Sequence, residues 1–264
     1  MDNVFWNANV MAEHNRSASI LAIGDSWFWY LFPGGSLLNQ LGPIVDTRQH
    51  TILAVGNNGA EAYDYVHGKY KGIVSQALKF HGDGLSAVFI SGGGNDFAGL
   101  NDLLPLLRDN CSNAQTAGDC FKPGAANGTL DKLMSDLTEA YTLLIGQIMM
   151  KCPAAVKIFV HNYDYAIPSG KGVFGGDSTW LKKALVEAHV PEPLQAGCIR
   201  HIVNRFSDVL TTLQTQGNGQ VVFVDTRETL MPADWANELH PTPAGFKKLA
   251  QKWAPKLKSA GLAS

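Results

Sequence analysis

Residues 20–30 read Ile20-Leu21-Ala22-Ile23-Gly24-Asp25-Ser26-Trp27-Phe28-Trp29-Tyr30. Four apolar residues in a row, two of them β-branched, describe a short strand covered on both faces. Gly24 ends the run, and Ser26 opens an apolar, aromatic segment with room for a helix start. A serine in that place has its hydroxyl and its own backbone N–H at the carboxyl end of the strand. The positive end of a helix beginning there favours developing negative charge. The same serine also suits an ordinary helix N-cap, so Gly24-Asp25-Ser26 alone leaves both readings open.

Four more runs of this kind follow: Ile52–Val55, Ala87–Ile90, Val156–Val160 and Val221–Val224. Between them lie segments of helical period. Leu130–Met150 carries apolar residues at 130, 133, 134, 137, 141, 144, 145 and 148, the stripe of a helix packed on a sheet. Ile199–Leu213 reads similarly. Thr242-Pro243 opens a last helix, with Thr242 as N-cap and Pro243 in the first turn. Strands alternating with helices predict an α/β fold of three α/β/α layers around a five-stranded parallel sheet. Such sheets place their ligand sites at the carboxyl ends of the strands. At 264 residues the chain suits one domain over 1–264. Two stretches exceed the minimal alternation, near 97–128 and 163–196. Both leave strand carboxyl ends, where long loops serve as lids or specificity walls or are plain insertions.

Bulk properties exclude several classes. The formal net charge is -2 and no basic run exceeds two residues, so no nucleic-acid footprint is expected. No apolar stretch reaches the length of a transmembrane segment. The first nineteen residues lack the basic start and unbroken apolar segment of a signal peptide, which makes a cytoplasmic location the default. Cysteines stand at 111, 120, 152 and 198 with no CxxC pair, so a zinc site of the usual spacing is not expected. Cys111 and Cys120 flank a polar stretch that accommodates either a local disulfide, which would imply export, or two free thiols.

Three further blocks sit at expected strand ends. Gly56-Asn57-Asn58-Gly59 follows the second strand and Gly92-Gly93-Gly94-Asn95-Asp96 the third. Glycine there permits close backbone approach to a ligand, and an asparagine can aim its amide N–H at an oxyanion. Both blocks also suit plain turns. Neither matches GxGxxG or GxxxxGK[ST], so a flavodoxin-type cofactor module lacks its phosphate loop. After the fifth strand, Asp234-Trp235-Ala236-Asn237-Glu238-Leu239-His240-Pro241-Thr242 places a histidine in a loop just before the last helix.

Taken together and in order, GDS near the N-terminus, a glycine turn after strand two, GGND after strand three and His240-Pro241-Thr242-x-x-Gly245 resemble the SGNH (GDSL-like) hydrolase superfamily of esterases and lipases. The resemblance runs from about residue 18 to 258. It implies a flavodoxin-like sheet and cleavage of a carboxylic ester through an acyl-serine intermediate. It implies Ser26 as nucleophile and His240 as general base. Ser26 N–H, Gly59 N–H (Gly56 being the alternative) and the Asn95 side chain would form the oxyanion hole. A serine hydroxyl needs such an adjacent base at neutral pH. The chemistry requires no metal or organic cofactor, and the expected partner is a small-molecule ester or acylated carbohydrate. One position departs from the pattern: the family usually carries Asp three residues before the histidine, and here stands Asn237. Asn237 can accept the imidazole Nδ1–H but cannot offset an imidazolium charge. Three readings follow. Asn237 orients a Ser–His dyad; Glu238 or Asp234 takes over; or the site is weakened, leaving a poor catalyst or a binding protein.

Overall fold

A computed structural model describes residues 3–30, 35–173, 176–177 and 180–264. Its centre is a parallel sheet of β1 (Val4–Phe5), β2 (Ile20–Gly24), β3 (Ile52–Gly56), β4 (Ala87–Ile90), β5 (Lys157–His161) and β6 (Val221–Val224), in the order β1-β3-β2-β4-β5-β6. Ile20, Leu21, Ala22 and Ile23 are fully buried, as are Ala87, Val88, Phe89 and Ile90, which accounts for their unbroken apolar character. Register is in phase across the centre, with Ile20 paired to both Ile52 and Ala87.

Helices cover both faces. Leu37–Asp46 and Pro243–Ser259 pack together on one side. There Trp253 lies against Phe28, Phe89, Phe159 and His161. Ala62–Val66, Leu130–Lys151 and Glu192–Gln216 cover the other, where Tyr141 meets Phe206 edge-on. Thr242 caps the last helix as expected, accepting from Gly245 N–H at 3.1 Å.

The three-layer α/β/α fold read from the sequence is observed, with one correction. Among the described residues the sheet has six strands, not five. Val4–Phe5 adds a parallel edge through Val4 to Ile52 and Phe5 to Leu53. Two residues are too few for any period to register. A smaller shift occurs at β5, which runs Lys157–His161 rather than Val156–Val160.

The strand order reverses between β2 and β4. β3 lies on one side of β2 and β4 on the other, so the chain leaves these strand ends in opposite directions and opens a crevice between them. The segments near 97–128 and 163–196 meet above this crevice. The helix Leu100–Leu103 packs on Leu181–Glu187, and Cys111 N–H donates to Ala188 O at 2.8 Å. Part of the second segment, at 174–175 and 178–179, lies outside the described residues.

All four cysteines are free thiols, which corrects the Cys111–Cys120 disulfide considered above. The Cys111 thiol turns to the carbonyls of Arg108 and Cys120, and the Cys120 thiol to that of Thr116. Among the described residues no helix is long and apolar enough to cross a membrane, and no group of three or more His, Cys, Asp or Glu side chains is placed to hold a metal ion.

Candidate active site

Ser26 is the first residue of a short helix, Ser26–Trp29, that begins directly after β2. Asp25 caps it. One Asp25 oxygen accepts from Trp27 N–H at 3.0 Å and Ser91 Oγ at 2.8 Å, and the other from Tyr163 Oη at 2.5 Å. Burial pushes the Asp25 carboxyl above its ordinary range, against the pull of these donors. The capping carboxylate thus locks the serine turn to β4 and to the strand end beyond it.

His240 arrives from the loop after β6. Trp235 and Pro241 form an isolated antiparallel bridge, and Thr242 N–H donates to Asp234 O at 2.7 Å. Trp27 Nε1 donates to Leu239 O at 3.0 Å, clamping this loop to the serine turn. The result is a contact of 2.8 Å between His240 Nε2 and Ser26 Oγ.

The other ring nitrogen faces Asn237 Oδ1 at 3.1 Å. That oxygen also accepts from Leu239 N–H and His240 N–H, each at 2.9 Å, while Asn237 Nδ2 donates to Tyr30 Oη at 3.0 Å. The two backbone donors identify which end of the amide is oxygen. Nδ1 must therefore carry the ring proton, and Nε2 is the lone-pair acceptor for the Ser26 hydroxyl. Tyr30 stacks flat on the imidazole at 4.3 Å between centroids, and Trp180 meets it edge-on at 6.1 Å. Enclosed this way, His240 has its pKa lowered to about 4 by loss of hydration.

Asp234 and Glu238 are engaged elsewhere. Asp234 pairs with Lys248 at 2.6 Å and accepts from Met231 N–H. Glu238, fully buried, accepts from the backbone N–H groups of Gly170, Leu181 and Lys182 at 2.8–3.1 Å. It caps the helix Leu181–Glu187 and ties the segment near 163–196 to the histidine loop.

The two glycines of the second block differ. Gly56, at φ 118°, touches β2 so closely that a Cβ would sit 2.1 Å from Gly24 O. Gly59, at φ 72°, has no neighbour within 4 Å of that position. With Asn95, Trp180 and Leu239 it lines a groove. Asn95 begins the helix after β4 and spends one amide hydrogen on Ala60 O at 2.9 Å. It borders both this groove and an apolar cavity that includes Ser26. Ser26 N–H and Gly59 N–H make no hydrogen bond among the described residues. Ser26 thus lines the apolar cavity and Gly59 the groove, Asn95 borders both, and His240 contacts Ser26. Asp96 links the two turns by accepting Ala62 N–H at 3.0 Å, and burial lifts its pKa to about 7.

Solved structures share this architecture. An extracellular lipase from Streptomyces rimosus superposes with a TM-score of 0.53 at 19% identity, over 92% of this chain and 100% of that one. A carbohydrate acetylesterase from Sinorhizobium meliloti gives 0.57 at 14%, over 92% and 99%. The chain shares the fold of these solved lipases and esterases. A family two carbohydrate esterase from Clostridium thermocellum gives 0.54 at 13%, over 92% of this chain and 63% of that one. No family model matches the sequence, and no curated protein matches it significantly.

Within this site, sequence reasoning missed Tyr30, Trp180 and the tie made by Glu238. The run 27–30 is aromatic throughout, a composition that suits a pocket wall and a packed helix equally. Trp27 and Phe28 are buried, but Tyr30 turns onto His240. Nothing in the local pattern distinguishes it from its neighbours.

Proposed function

We propose that the protein hydrolyses carboxylic esters, with Ser26 as nucleophile and His240 as general base. The observation that carries this reading is the 2.8 Å contact of His240 Nε2 with Ser26 Oγ, in a ring whose tautomer Asn237 fixes. In this reaction His240 accepts the hydroxyl proton as Ser26 Oγ bonds to the ester carbonyl carbon. The resulting oxyanion is held by Ser26 N–H, Gly59 N–H and the remaining Asn95 amide hydrogen. Loss of one such donor typically costs about 10²–10³ in turnover. As the intermediate collapses, His240 returns the proton to the leaving alcohol. Water then attacks the acyl-serine with His240 again as base, releasing the acid.

Asn237 orients the imidazole, and Gly59 rather than Gly56 is the glycine donor, because Gly56 is packed against β2. Because the His240 pKa is about 4, the ring is neutral and able to accept a proton at pH 7. The test is labelling by a fluorophosphonate and cleavage of p-nitrophenyl acetate, in wild type and Ser26→Ala. Both signals should vanish in the variant while its circular dichroism is unchanged. Cleavage that persists puts the nucleophile elsewhere. Acetylated carbohydrates belong in the same panel, since two of the solved structures of like fold are named as carbohydrate esterases.

A second reading, a binding protein on the same scaffold, is favoured by Asn237 and by the weak basicity of His240. A serine that resists the fluorophosphonate in a folded wild-type protein selects it.

A further inference from the structure

Tyr163, just beyond the end of β5, is buried where the parts of the site meet. Its hydroxyl donates to Asp25 Oδ2 at 2.5 Å, on the residue before Ser26. Its ring meets Trp27 edge-on at 4.9 Å, and Trp27 Nε1 in turn holds Leu239 O, next to His240. Gly94, the residue before Asn95, lies against the same ring. A Cβ at Gly94 would sit 2.8 Å from Tyr163 Cζ and 3.1 Å from its Oη. Gly94 has φ -66° and ψ -47°, a conformation open to any residue. Close contact with Tyr163, not backbone freedom, is what demands a glycine here.

The mounting of this ring is rigid. On one side Asn162 Nδ2 donates to Ser207 Oγ and Asp225 Oδ1, and Asn162 Oδ1 accepts from Thr226 N–H at 2.7 Å. On the other, Asp164 accepts from the backbone N–H groups of Glu228, Thr229 and Leu230 at 2.6–2.8 Å. Burial, with the Asp25 charge beside it, pushes the phenol well above its ordinary value, so the hydroxyl remains a donor.

We propose, on the ester-hydrolase reading above, that Tyr163 is a positioning residue: by holding Asp25 with its hydroxyl and Gly94 against its ring, it sets the spacing of Ser26 and Asn95. Asp25 and Gly94 each come directly before a residue that meets the oxyanion, so a shift in either passes straight to the donor that follows. Those donors must fit the oxygen as it gains charge, and a poor fit weakens the transition state more than the bound ester. A displacement of about 1 Å can cost 10²-fold.

The experiment compares Tyr163→Phe with wild type by cleavage of p-nitrophenyl acetate, rate of fluorophosphonate labelling and Tm. Phenylalanine keeps the ring against Trp27 and Gly94 but releases Asp25. kcat and kcat/KM should fall together by about tenfold or more, the mark of an interaction made only in the transition state. Labelling should slow in step, because the phosphoryl oxygen uses the same donors. Ser91→Ala is the control, since it removes the other hydroxyl on Asp25, at 2.8 Å, and leaves Tyr163 in place. It should lower Tm and slow kcat by clearly less than Tyr163→Phe. If Tyr163→Phe does not fold, Gly94→Ala replaces it: the added methyl forces the Asn95 block away from the ring, and the same paired fall is expected. Unchanged kinetics in the variant that folds, a rise in KM alone, or a loss no larger than that of Ser91→Ala overturns the positioning role and leaves the hydrolase standing. If wild type cleaves no ester and Ser26 resists the fluorophosphonate, the hydrolase reading falls and takes this one with it.

Discussion

Replacing Asn237 by Asp tests how the histidine is tuned. Asn237 Oδ1 lies 3.1 Å from His240 Nδ1 and already accepts two backbone N–H groups. An aspartate oxygen fits the same cradle, and its second oxygen can accept the Tyr30 hydroxyl proton in place of the amide's donation. The exchange is therefore nearly isosteric and adds one negative charge. At that separation and an effective dielectric near 20, Coulomb's law sets a ceiling of about 5 kcal/mol on the gain to the imidazolium. Burying the carboxylate offsets part of it, and opposite charges at such range usually shift a pKa by about 1–3 units. At 1.36 kcal/mol per unit that is roughly 1.4–4 kcal/mol. The His240 pKa, about 4 with Asn237 in place, should rise accordingly. The acid limb of kcat/KM against pH reports the base in the free enzyme. With p-nitrophenyl acetate, the wild-type limb should lie near pH 4 and the Asn237→Asp limb about 1–3 units higher. Activity near neutral pH should be preserved or raised. An acid limb that stays in place or moves down would refute the idea that Asn237 Oδ1 faces a protonated Nδ1.

Burial also lowers the pKa of His161 to about 4, and its ring is enclosed by Trp27, Phe28 and Trp253. For both histidines the unfolded chain binds the proton more tightly, so stability is full above about pH 6.5 and falls as pH drops toward 4. The limit is on the order of 3 kcal/mol each, visible as a falling Tm in a pH series; a Tm that is flat from pH 7 to 4.5 would count against both burials. Glu238→Ala strands the backbone donors of Gly170, Leu181 and Lys182, and should cost about 3 kcal/mol or more in urea unfolding. An unchanged midpoint would show that the tie bears no load. Cys111, Cys120 and Cys198 are buried, and burial lifts the Cys111 and half-buried Cys152 thiols to about 11. A thiol reagent at pH 8 should therefore react slowly with the native protein and count four thiols in denaturant; a count of two would mean a disulfide.

The sheet was legible because burial on both faces writes itself as continuous apolar runs. Four of the five strands begin at the residue expected, and the remaining one, β5, begins one residue later. β1 was invisible because a two-residue edge takes its place from the pairing of Val4 with Ile52, not from any property of its own segment. The site was legible to the extent that its residues follow strands. Ser26, Asn95 and His240 each stand just beyond a strand end or before a helix, and a parallel sheet gathers such positions at one edge. What surrounds His240 was not. Tyr30 lies four residues from Ser26, and Trp180 belongs to a different segment. Their convergence on one ring is decided by tertiary packing. Asn237, Glu238 and Asp234 were equivalent candidates on paper. Backbone geometry separates them: the side chain at 237 folds back onto its own loop, while Asp234 meets Lys248 and Glu238 caps a helix.

Tyr30 bears on why a site with asparagine at position 237 can still support an imidazolium. The asparagine fixes the tautomer as well as an aspartate would, since orientation needs only an acceptor at Nδ1. It does nothing for the positive charge that appears when His240 takes the serine proton. The tyrosine ring, stacked at 4.3 Å and tilted by only 20°, puts its electron-rich face against that charge. A cation over an aromatic face gains about 0.5–1 kcal/mol when exposed and about 2 when desolvated. That recovers part of the roughly 1.4–4 kcal/mol expected from a carboxylate, so the two substitutions should be coupled. Tyr30→Leu should lower kcat by about 5- to 30-fold with Asn237 present, as about 1–2 kcal/mol at about 1.4 per tenfold implies. In the Asn237→Asp background the carboxylate carries the larger share, and the loss should shrink. A double-mutant cycle measures the difference. Equal losses in both backgrounds would mean that Tyr30 only packs against the ring and gives its charge no support.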